Sequence, residues 1–214
     1  MAATPYSIYA QVYKLIEGTH LLCRPLAAYS LEDVVSQLLE SDQAYIGSIN
    51  HTGSALRSAV ARLLACQLFN QLHLPYPGVR HQTGGRPIAI SGGAHLSLTH
   101  TADWAGAAIS LHGPIGFDLE THAEKAERIA PRFLKAGELD FIRTSNIPAS
   151  LAFCLKEATY KNESITGLSI RDDLTLEVIG AANASVLCHH PKALKPLHTL
   201  HWFKLGYTFG AVCY

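Results

Sequence analysis

The sequence predicts a mixed α+β fold, because helical and strand-like patterns both recur along its 214 residues. The clearest helical pattern covers residues 54–72, where leucines and valines recur every three or four positions. Alternation of apolar and polar residues, which is typical of strands, covers residues 95–101 and 174–179. A chain of this length can bury a core as one domain or as two small lobes.

Composition restricts the class of protein further. Hydrophobic residues make up 48% of the chain and charged residues 16%, which indicates a soluble globular protein and not a disordered one. The 17 basic and 17 acidic residues balance, so no overall field attracts nucleic acid, and we expect no such partner. Five scattered cysteines without a Cys-x-x-Cys pair, and a start without a signal-peptide pattern, predict reduced thiols and a cytoplasmic location. No apolar run approaches the ~18 residues of a membrane span, so we expect no membrane partner.

The first half of the chain is predicted to open with a strand and to continue with helices. Residues 6–15 alternate loosely as a strand, and Ser30 is a candidate N-cap for a helix that runs to about residue 39. The polar stretch 41–52 is predicted as loop, and 54–72 as a helix with one apolar face. Two turn-rich connectors and two short strands follow, at 74–78, 84–87, 87–90 and 95–101.

Residues 103–111 and 114–120 are predicted to be neighbouring strands of one sheet. Residues 121–141 are helical in part, with a break at Pro131 because proline cannot continue a helix. A further helix follows, and Pro148 suits its first turn. The chain is predicted to end in strands, of which the last two turn at Gly206, and their ranges are 174–179, 197–205 and 207–214.

Charged residues follow a regular pattern on one predicted strand and one predicted helix. Asp118 and Glu120 are two positions apart, so strand geometry puts both carboxylates on one face. Glu157 and Lys161 are four positions apart, so both project from one face of a helix. An exposed Glu–Lys pair would be the ordinary explanation of the helical pair alone. Three carboxylates with lysine beside them are instead typical of a Mg²⁺ site, where lysine contacts a substrate phosphate.

These residues belong to two motifs that resemble the signature of the 4′-phosphopantetheinyl transferases. The first motif is Gly-x-Asp-x-Glu, and the second is Phe-x-x-Lys-Glu-Ala-x-x-Lys. Two further family features lie upstream, Gly-Arg-Pro and Leu-Ser-Leu-Thr-His, so the resemblance covers roughly residues 85–161. The matching positions are 85–87, 96–100, Gly116, Asp118, Glu120, Phe153, Lys156, Glu157, Ala158 and Lys161.

The resemblance implies a fold and an assembly. The larger members of the family are monomers built from two similar α+β halves that are related by a pseudo-twofold axis, with the active site in the cleft between them. We therefore expect a single transferase domain over 1–214, with halves of about 1–112 and 113–214, and a monomer. The chain is too long for the trimeric class of the family.

The resemblance also implies an activity. The enzyme would transfer 4′-phosphopantetheine from coenzyme A to a serine of an apo acyl or peptidyl carrier protein and release 3′,5′-adenosine diphosphate. Asp118, Glu120 and Glu157 would hold Mg²⁺, or Mn²⁺ in its place, and Lys161 would contact phosphate with Lys156 nearby. Either Glu157 or a metal-bound water would take the proton of the serine hydroxyl. The type of carrier, whether of fatty-acid, polyketide or non-ribosomal peptide synthesis, stays open.

By the same resemblance, residues of the first half would bind coenzyme A. Arg86, Thr99 and His100 match family positions that contact the nucleotide or its phosphates, and Ser58 matches a position near the adenosine. Taken alone, Arg86 would be a solvated loop arginine, His100 a satisfied core residue and Ser58 part of a packing helix.

One family feature is missing. Relatives carry basic residues shortly before the helix 54–72, where they meet the nucleotide 3′-phosphate, but residues 41–47 contain no lysine or arginine. Arg57, Arg62 or Arg86 would have to take that role, or the 3′-phosphate would be held more weakly.

Carrier recognition is expected on the segment after the metal-binding strand. This segment carries four basic residues, which form either an ordinary mixed-charge surface or a contact for the acidic helix of a carrier: Lys125, Arg128, Arg132 and Lys135.

Two other functions are alternatives. The first is a non-catalytic relative that binds coenzyme A or a carrier, and the three intact carboxylates argue against it. The second is a zinc hydrolase built on Cys188-His189-His190 with His198 and His201. It is weaker because zinc needs three or four converging ligands, and His198 and His201 fall on opposite faces of a strand.

Overall fold

The chain divides after Gly113 into two units, Met1–Gly113 and Pro114–Tyr214. The computed structural model describes residues 13–16, 18–81, 87–89, 93–121 and 124–214. Both units combine helices with antiparallel strands, which confirms the predicted α+β class. Among the described residues, no helix has both the length and the apolar character needed to cross a membrane.

The first unit packs one long helix on a four-stranded sheet. The strands of the sheet lie in the order β1-β2-β6-β5, and β3 and β4 form a separate pair. Leu22, Leu64, Leu68 and Ile109 are fully buried in the core that α3 shares with the sheet. The elements are β1 (Tyr13–Ile16), β2 (Thr19–Pro25), α1 (Leu31–Val35), α2 (Glu40–Gly47), α3 (Thr52–Gln71), β3 (Val79–His81), β4 (Pro87–Ala89), β5 (His95–His100) and β6 (Trp104–Ser110).

The second unit packs α6 on a five-stranded sheet in the order β7-β11-β10-β9-β8. Leu151, Leu155 and Ala158 of α6 lie in the same core as Ala211 and Cys213 of the sheet. The elements are β7 (Gly116–Thr121), α4 (Glu124–Ile129), α5 (Ala136–Thr144), α6 (Ala149–Glu163), β8 (Leu174–Ile179), β9 (Asn183–Cys188), β10 (Leu197–Leu205) and β11 (Thr208–Cys213).

The two units share one feature of connectivity. In each unit, one strand precedes the long helix in the chain, and the last strand of the unit pairs with that earlier strand. In the first unit β6 pairs with β2, and in the second unit β11 pairs with β7. The last strand therefore lies inside the sheet in both units, which requires long-range pairing and not only hairpins.

Several predicted elements are confirmed. The helix predicted at 54–72 is α3, and the ring of His51 caps it by accepting a hydrogen bond from the Ser54 backbone nitrogen at 3.2 Å. Ser30 caps α1 as predicted, since its hydroxyl accepts from the Asp33 backbone nitrogen at 3.2 Å, but α1 ends at Val35 and not near residue 39. The hairpin turn at Gly206 has a φ of 60°, which glycine adopts without strain.

Three predictions were wrong or lie partly beyond the described residues. The stretch 41–52, predicted as loop, contains α2, a short polar helix whose buried residues are Asp42 and Ile46. The first strand was predicted at 6–15, of which only Tyr13 onward is described, as β1. The predicted neighbours 103–111 and 114–120 are strands, but they belong to different sheets, because β6 pairs with β2 and β5 while β7 pairs with β11.

Candidate active site where α6 meets β7

Gly116 allows α6 to approach β7 closely. An ideal Cβ on Gly116 would lie 1.8 Å from the carbonyl oxygen of Ala158 and 2.5 Å from the backbone nitrogen of Asn162, so no side chain fits there. Side chains alternate along a strand, and Asp118 and Glu120 therefore project on the face that α6 covers. The glycine of the first motif thus has a packing role, which brings the polar residues of α6 to these carboxylates.

Asp118 and Lys161 form a close ion pair across this contact. Lys161 Nζ lies 2.6 Å from Asp118 Oδ1 and donates to the carbonyl oxygen of Phe117 at 3.1 Å. The Asp118 side chain is 7% exposed and that of Lys161 is 28% exposed, so the lysine keeps access to solvent. Burial lowers the pKa of Lys161, but the charges of Asp118 and Glu157 outweigh it and raise the pKa above its ordinary value. Lys161 is therefore a lasting positive charge beside the carboxylates.

Glu120 and Glu157 feel the other carboxylates of the site. Burial raises the pKa of Glu120 to about 7, and the charges of Asp118 and Glu157 add to the rise against the opposing charges of Lys161 and Lys125. Burial also raises the pKa of Glu157, with the charge of Asp118 adding and that of Lys161 opposing. Carboxylates that raise one another's pKa in this way are stabilised when a cation binds among them.

The donor set suits Mg²⁺ in its chemistry. In the part of the chain that the structure describes, no three Asp, Glu, His or Cys side chains converge into a ready-made cage for a metal ion. Mg²⁺ does not need such a cage, since one or two carboxylates usually hold it while waters and substrate phosphates complete the octahedron. Asp118 and Glu120 offer hard oxygen donors on one face of β7, and Glu157 adds a third electrostatically coupled carboxylate.

Lys156 lies in a different environment from Lys161. Its ammonium is fully buried and donates to Glu138 Oε2 and to the carbonyl oxygens of Phe133 and Leu174, at 2.8 to 2.9 Å. Burial lowers the pKa of Lys156, and the hydrogen bond and charge of Glu138 oppose this effect. Because the ammonium is enclosed by protein acceptors, Lys156 ties α6 to its neighbours, and the structure offers no support for contact between Lys156 and coenzyme A.

The residues expected to bind coenzyme A from the first half lie in the first unit. Ser58 Oγ accepts a hydrogen bond from Arg62 Nη1 at 2.6 Å, so this hydroxyl already has an internal partner. Thr99 and His100 are consecutive on β5 and project on opposite faces, where Thr99 is buried and His100 is exposed. Arg86 lies outside the described residues.

Arg62 does not replace the missing basic cluster. It is 2% exposed, and its Nε lies 3.2 Å from Asp42 Oδ1. The guanidinium also stacks over the ring of Tyr45 at 4.0 Å, and Asp42 accepts a second hydrogen bond from the hydroxyl of Tyr76 at 2.8 Å. A guanidinium enclosed in this way cannot meet a nucleotide phosphate, so the suggestion that Arg62 holds the 3′-phosphate is wrong. Arg57 is half-buried on the same helix and stays a candidate.

Sequence reasoning missed two polar residues at the end of α6. Asn162 Nδ2 donates to the carbonyl oxygen of Pro114 at 2.8 Å, and Glu163 contacts the buried ring of His198 at 2.5 Å. The available signal was weak: Asn162 stands at a position where the spacing of Leu155 and Ala158 predicts an apolar residue.

The histidines considered for zinc lie on opposite faces of β10, as predicted. His198 is fully buried, whereas His201 is half-buried and its Nδ1 lies 3.3 Å from Asn183 Oδ1. Each ring therefore has its own partner on its own side of the strand.

No protein-family model and no curated protein matches this chain. The assignment of a function therefore depends on the sequence motifs and on the contact between α6 and β7. Both point to the same four side chains, those of Asp118, Glu120, Glu157 and Lys161.

Proposed function

We propose that this protein is a magnesium-dependent enzyme that transfers a phosphate-linked group from a nucleotide to a hydroxyl. The contact between Asp118 and Lys161 carries the proposal, because a carboxylate suited to a cation lies 2.6 Å from an ammonium suited to a phosphate. The particular activity is 4′-phosphopantetheinyl transfer from coenzyme A to a serine of a carrier protein. It is supported by the two motifs that supply these residues, since both resemble that family.

The chemistry requires a nucleophile, a base and charge neutralisation. The serine hydroxyl of the carrier attacks the β-phosphorus of coenzyme A, the bond from that phosphorus to the bridging oxygen breaks, and 3′,5′-adenosine diphosphate leaves with the electron pair. Glu157 is the candidate base for the hydroxyl proton, because its raised pKa makes the carboxylate more basic. Asp118 and Glu120 would then hold Mg²⁺, which when bound neutralises charge on the pyrophosphate.

Lys161 supplies a fixed positive charge to the same phosphates. Its pKa is raised, so the ammonium keeps its proton throughout the reaction. The side chain is held at Asp118 and at the carbonyl oxygen of Phe117 before substrate binds. Preorganised charge of this kind costs little reorganisation when negative charge develops in the transition state.

Carrier recognition fits the basic segment after β7. Lys125, Arg128 and Arg132 are exposed there, whereas Lys135 is half-buried and donates to Thr175 Oγ1 at 3.1 Å. The exposed acids Glu124 and Glu127 lie on the same short helix as Lys125 and Arg128, so the three exposed cations exceed the exposed acids of α4 by only one. They favour an acidic partner through interactions that are individually weak and sensitive to salt. The arrangement of two halves about a pseudo-twofold axis, with the site in the cleft between them, stays a prediction of the resemblance.

The proposal is tested by incubating the protein with coenzyme A, Mg²⁺ and a panel of apo-carriers of the fatty-acid, polyketide and peptide types. Intact mass spectrometry should show one carrier gaining the mass of a single phosphopantetheine group. Asp118→Ala and Glu157→Ala should each abolish the gain, and Glu177→Ala, an exposed glutamate on the far strand β8, should leave it unchanged. Coenzyme A binding without a mass gain on any carrier would instead indicate a non-catalytic binding protein.

A further inference from the structure

Three consecutive residues hold the last turn of α6 to different parts of the second unit. Lys161 donates to Asp118 on β7, and Asn162 donates to the carbonyl oxygen of Pro114. Glu163 accepts two hydrogen bonds, one from the backbone nitrogen of Leu194 at 2.8 Å and one from the ring of His198 on β10. These contacts tie the end of α6 to β7, to the segment before β7 and to β10.

The chain leaves the helix abruptly after Glu163. Ser164 is the C-cap and has the left-handed conformation, with a φ of 53°. The backbone nitrogen of Ser164 donates to the carbonyl oxygen of Tyr160 at 3.0 Å, and its hydroxyl donates to the carbonyl oxygen of Lys161 at 2.8 Å. The orientation of the last turn therefore depends on the contacts of its own side chains, those of Lys161, Asn162 and Glu163.

Glu163 belongs to a chain of three buried side chains. His198 Nε2 lies 2.5 Å from Glu163 Oε1, and the thiol of Cys213 lies 3.4 Å from His198 Nδ1. The side chains of Glu163 and His198 are 0% exposed, as is Cys213. Both oxygens of the Glu163 carboxylate accept from the backbone nitrogen of Leu194, so this group is an acceptor and we assign the ring proton to Nε2. Nδ1 is then the acceptor for the thiol proton.

The chain is built to stay neutral at the ring and at the thiol. Burial lowers the pKa of His198, and the charge of Lys195 acts in the same direction. The charge and hydrogen bond of Glu163, and a hydrogen bond to the backbone of Lys195, oppose this effect. Burial raises the pKa of Cys213 to about 12, so the thiol is not a nucleophile despite its histidine neighbour. Cys188 also interacts electrostatically with Glu163, and the side chain of Thr159 is a further hydrogen-bond partner of the Cys213 thiol.

We propose that Glu163, fixed by His198 and through it by Cys213, is a positioning residue for Lys161. Glu163 touches no group that reacts, but it anchors the same helical turn from which Lys161 reaches Asp118. The role assigned to Lys161 rests on the proposed transfer reaction, whereas the buried chain itself does not. Loss of the His198 donor should release the last turn and misdirect the Lys161 ammonium.

A matched pair of substitutions at His198 separates the two ends of the ring. In His198→Gln the amide nitrogen takes the place of Nε2 and can still donate to Glu163, whereas in His198→Asn it takes the place of Nδ1 and cannot. His201→Asn, on the opposite face of β10, is the control. His198→Asn should lower kcat/KM for coenzyme A by about ten- to a hundredfold, with His198→Gln and the control near wild type.

The outcomes distinguish positioning from general loss of structure. The KM for the carrier should not change, because the exposed cations of the basic segment lie on other elements. Wild-type kcat/KM in His198→Asn, or equal losses in both His198 variants, would overturn the proposal.

A second measurement uses the wild-type protein without substrate, so it does not depend on whether a variant folds. Nitrogen-15 NMR of the wild-type rings should show His198 as the neutral tautomer with its proton on Nε2. A neutral ring with its proton on Nδ1 would overturn the anchor even if transfer were observed, because Nε2 could then not donate to Glu163. If His198 were the Nε2 tautomer but no transfer were observed, the proposed function would be refuted, while the hydrogen bonds that join Glu163, His198 and Cys213 would still be supported.

Discussion

Replacement of Gly116 by alanine tests the close contact that builds the candidate site. The added Cβ would lie 1.8 Å from the carbonyl oxygen of Ala158, and real Cβ atoms essentially never approach closer than 3.0 Å, so β7 and α6 must separate by about 1.2 Å. Both sides of this contact are backbone, which cannot rotate away as a side chain does. Overpacking of this kind costs about 1–3 kcal/mol or more, which exceeds the ~0.4–1 kcal/mol that alanine gains by restricting the unfolded chain.

The same shift should affect catalysis more than a loss of stability alone would. Lys161 Nζ lies 2.6 Å from Asp118 Oδ1, so a displacement of α6 by about 1.2 Å would lengthen this contact to about 3.8 Å, beyond hydrogen-bond distance. Urea denaturation should show Gly116→Ala less stable than wild type, and transfer should fall about a hundredfold in the fraction that stays folded.

The matched control is Gly137→Ala in α5, where an added Cβ meets no heavy atom within 4 Å. This variant should be as stable as wild type or more stable by up to about 1 kcal/mol, because only the unfolded-state term applies. If the two alanine variants unfolded at the same urea concentration, the close approach of α6 to β7 would be refuted.

Three further predictions follow from the charges of the second unit. The pKa of Glu120 is about 7 in the fold against an ordinary 4.5, so wild-type stability should fall as pH rises through this window. Glu120→Gln should reduce the fall that urea denaturation shows between pH 5 and pH 8, and the remaining fall comes from Glu157, whose pKa is also raised; an equal fall in both proteins would contradict this. Lys156→Met should lower the free energy of unfolding by about 3–5 kcal/mol, because it leaves Glu138 buried without its partner. Adding Glu138→Gln to this variant should recover part of the loss. Strictly additive losses in the double-mutant cycle would count against the pair. Replacement of Arg128 and Arg132 by glutamate should raise the apparent KM for the carrier modestly and leave the KM for coenzyme A unchanged. If the carrier KM and its salt dependence both stayed unchanged, these residues would be ordinary surface charges.

Local patterns identified the elements of the site better than their pairing. The strand β7 and the helix α6 carry clear periodicities, and both lie close to where the sequence predicts them. The short helix α2 was missed because its position depends on Asp42, which binds Arg62 from twenty residues away. The pairing of β7 with β11 was likewise missed, since a strand pairs by long-range register and not by its nearest neighbour in the chain.

The candidate site shows the same division between local and distant information. The spacing within each motif predicts that Asp118 and Glu120 share a face, and that Glu157 and Lys161 share one. It does not predict that Lys156 turns inward, because its enclosure depends on acceptors from three other segments. The two lysines of one motif therefore have opposite environments, and packing alone decides that Lys161 keeps access to solvent.

The polar anchors of α6 have a consequence for how the second unit fluctuates. Lys156 and Asn162 bind segments on different sides of the helix, so α6 cannot detach from the sheet without breaking several buried hydrogen bonds at once. We expect the amides of α6 to be among the slowest of the unit to exchange with deuterated water. Local opening of the unit should then begin in α4, where no residue is buried, while α6 stays closed.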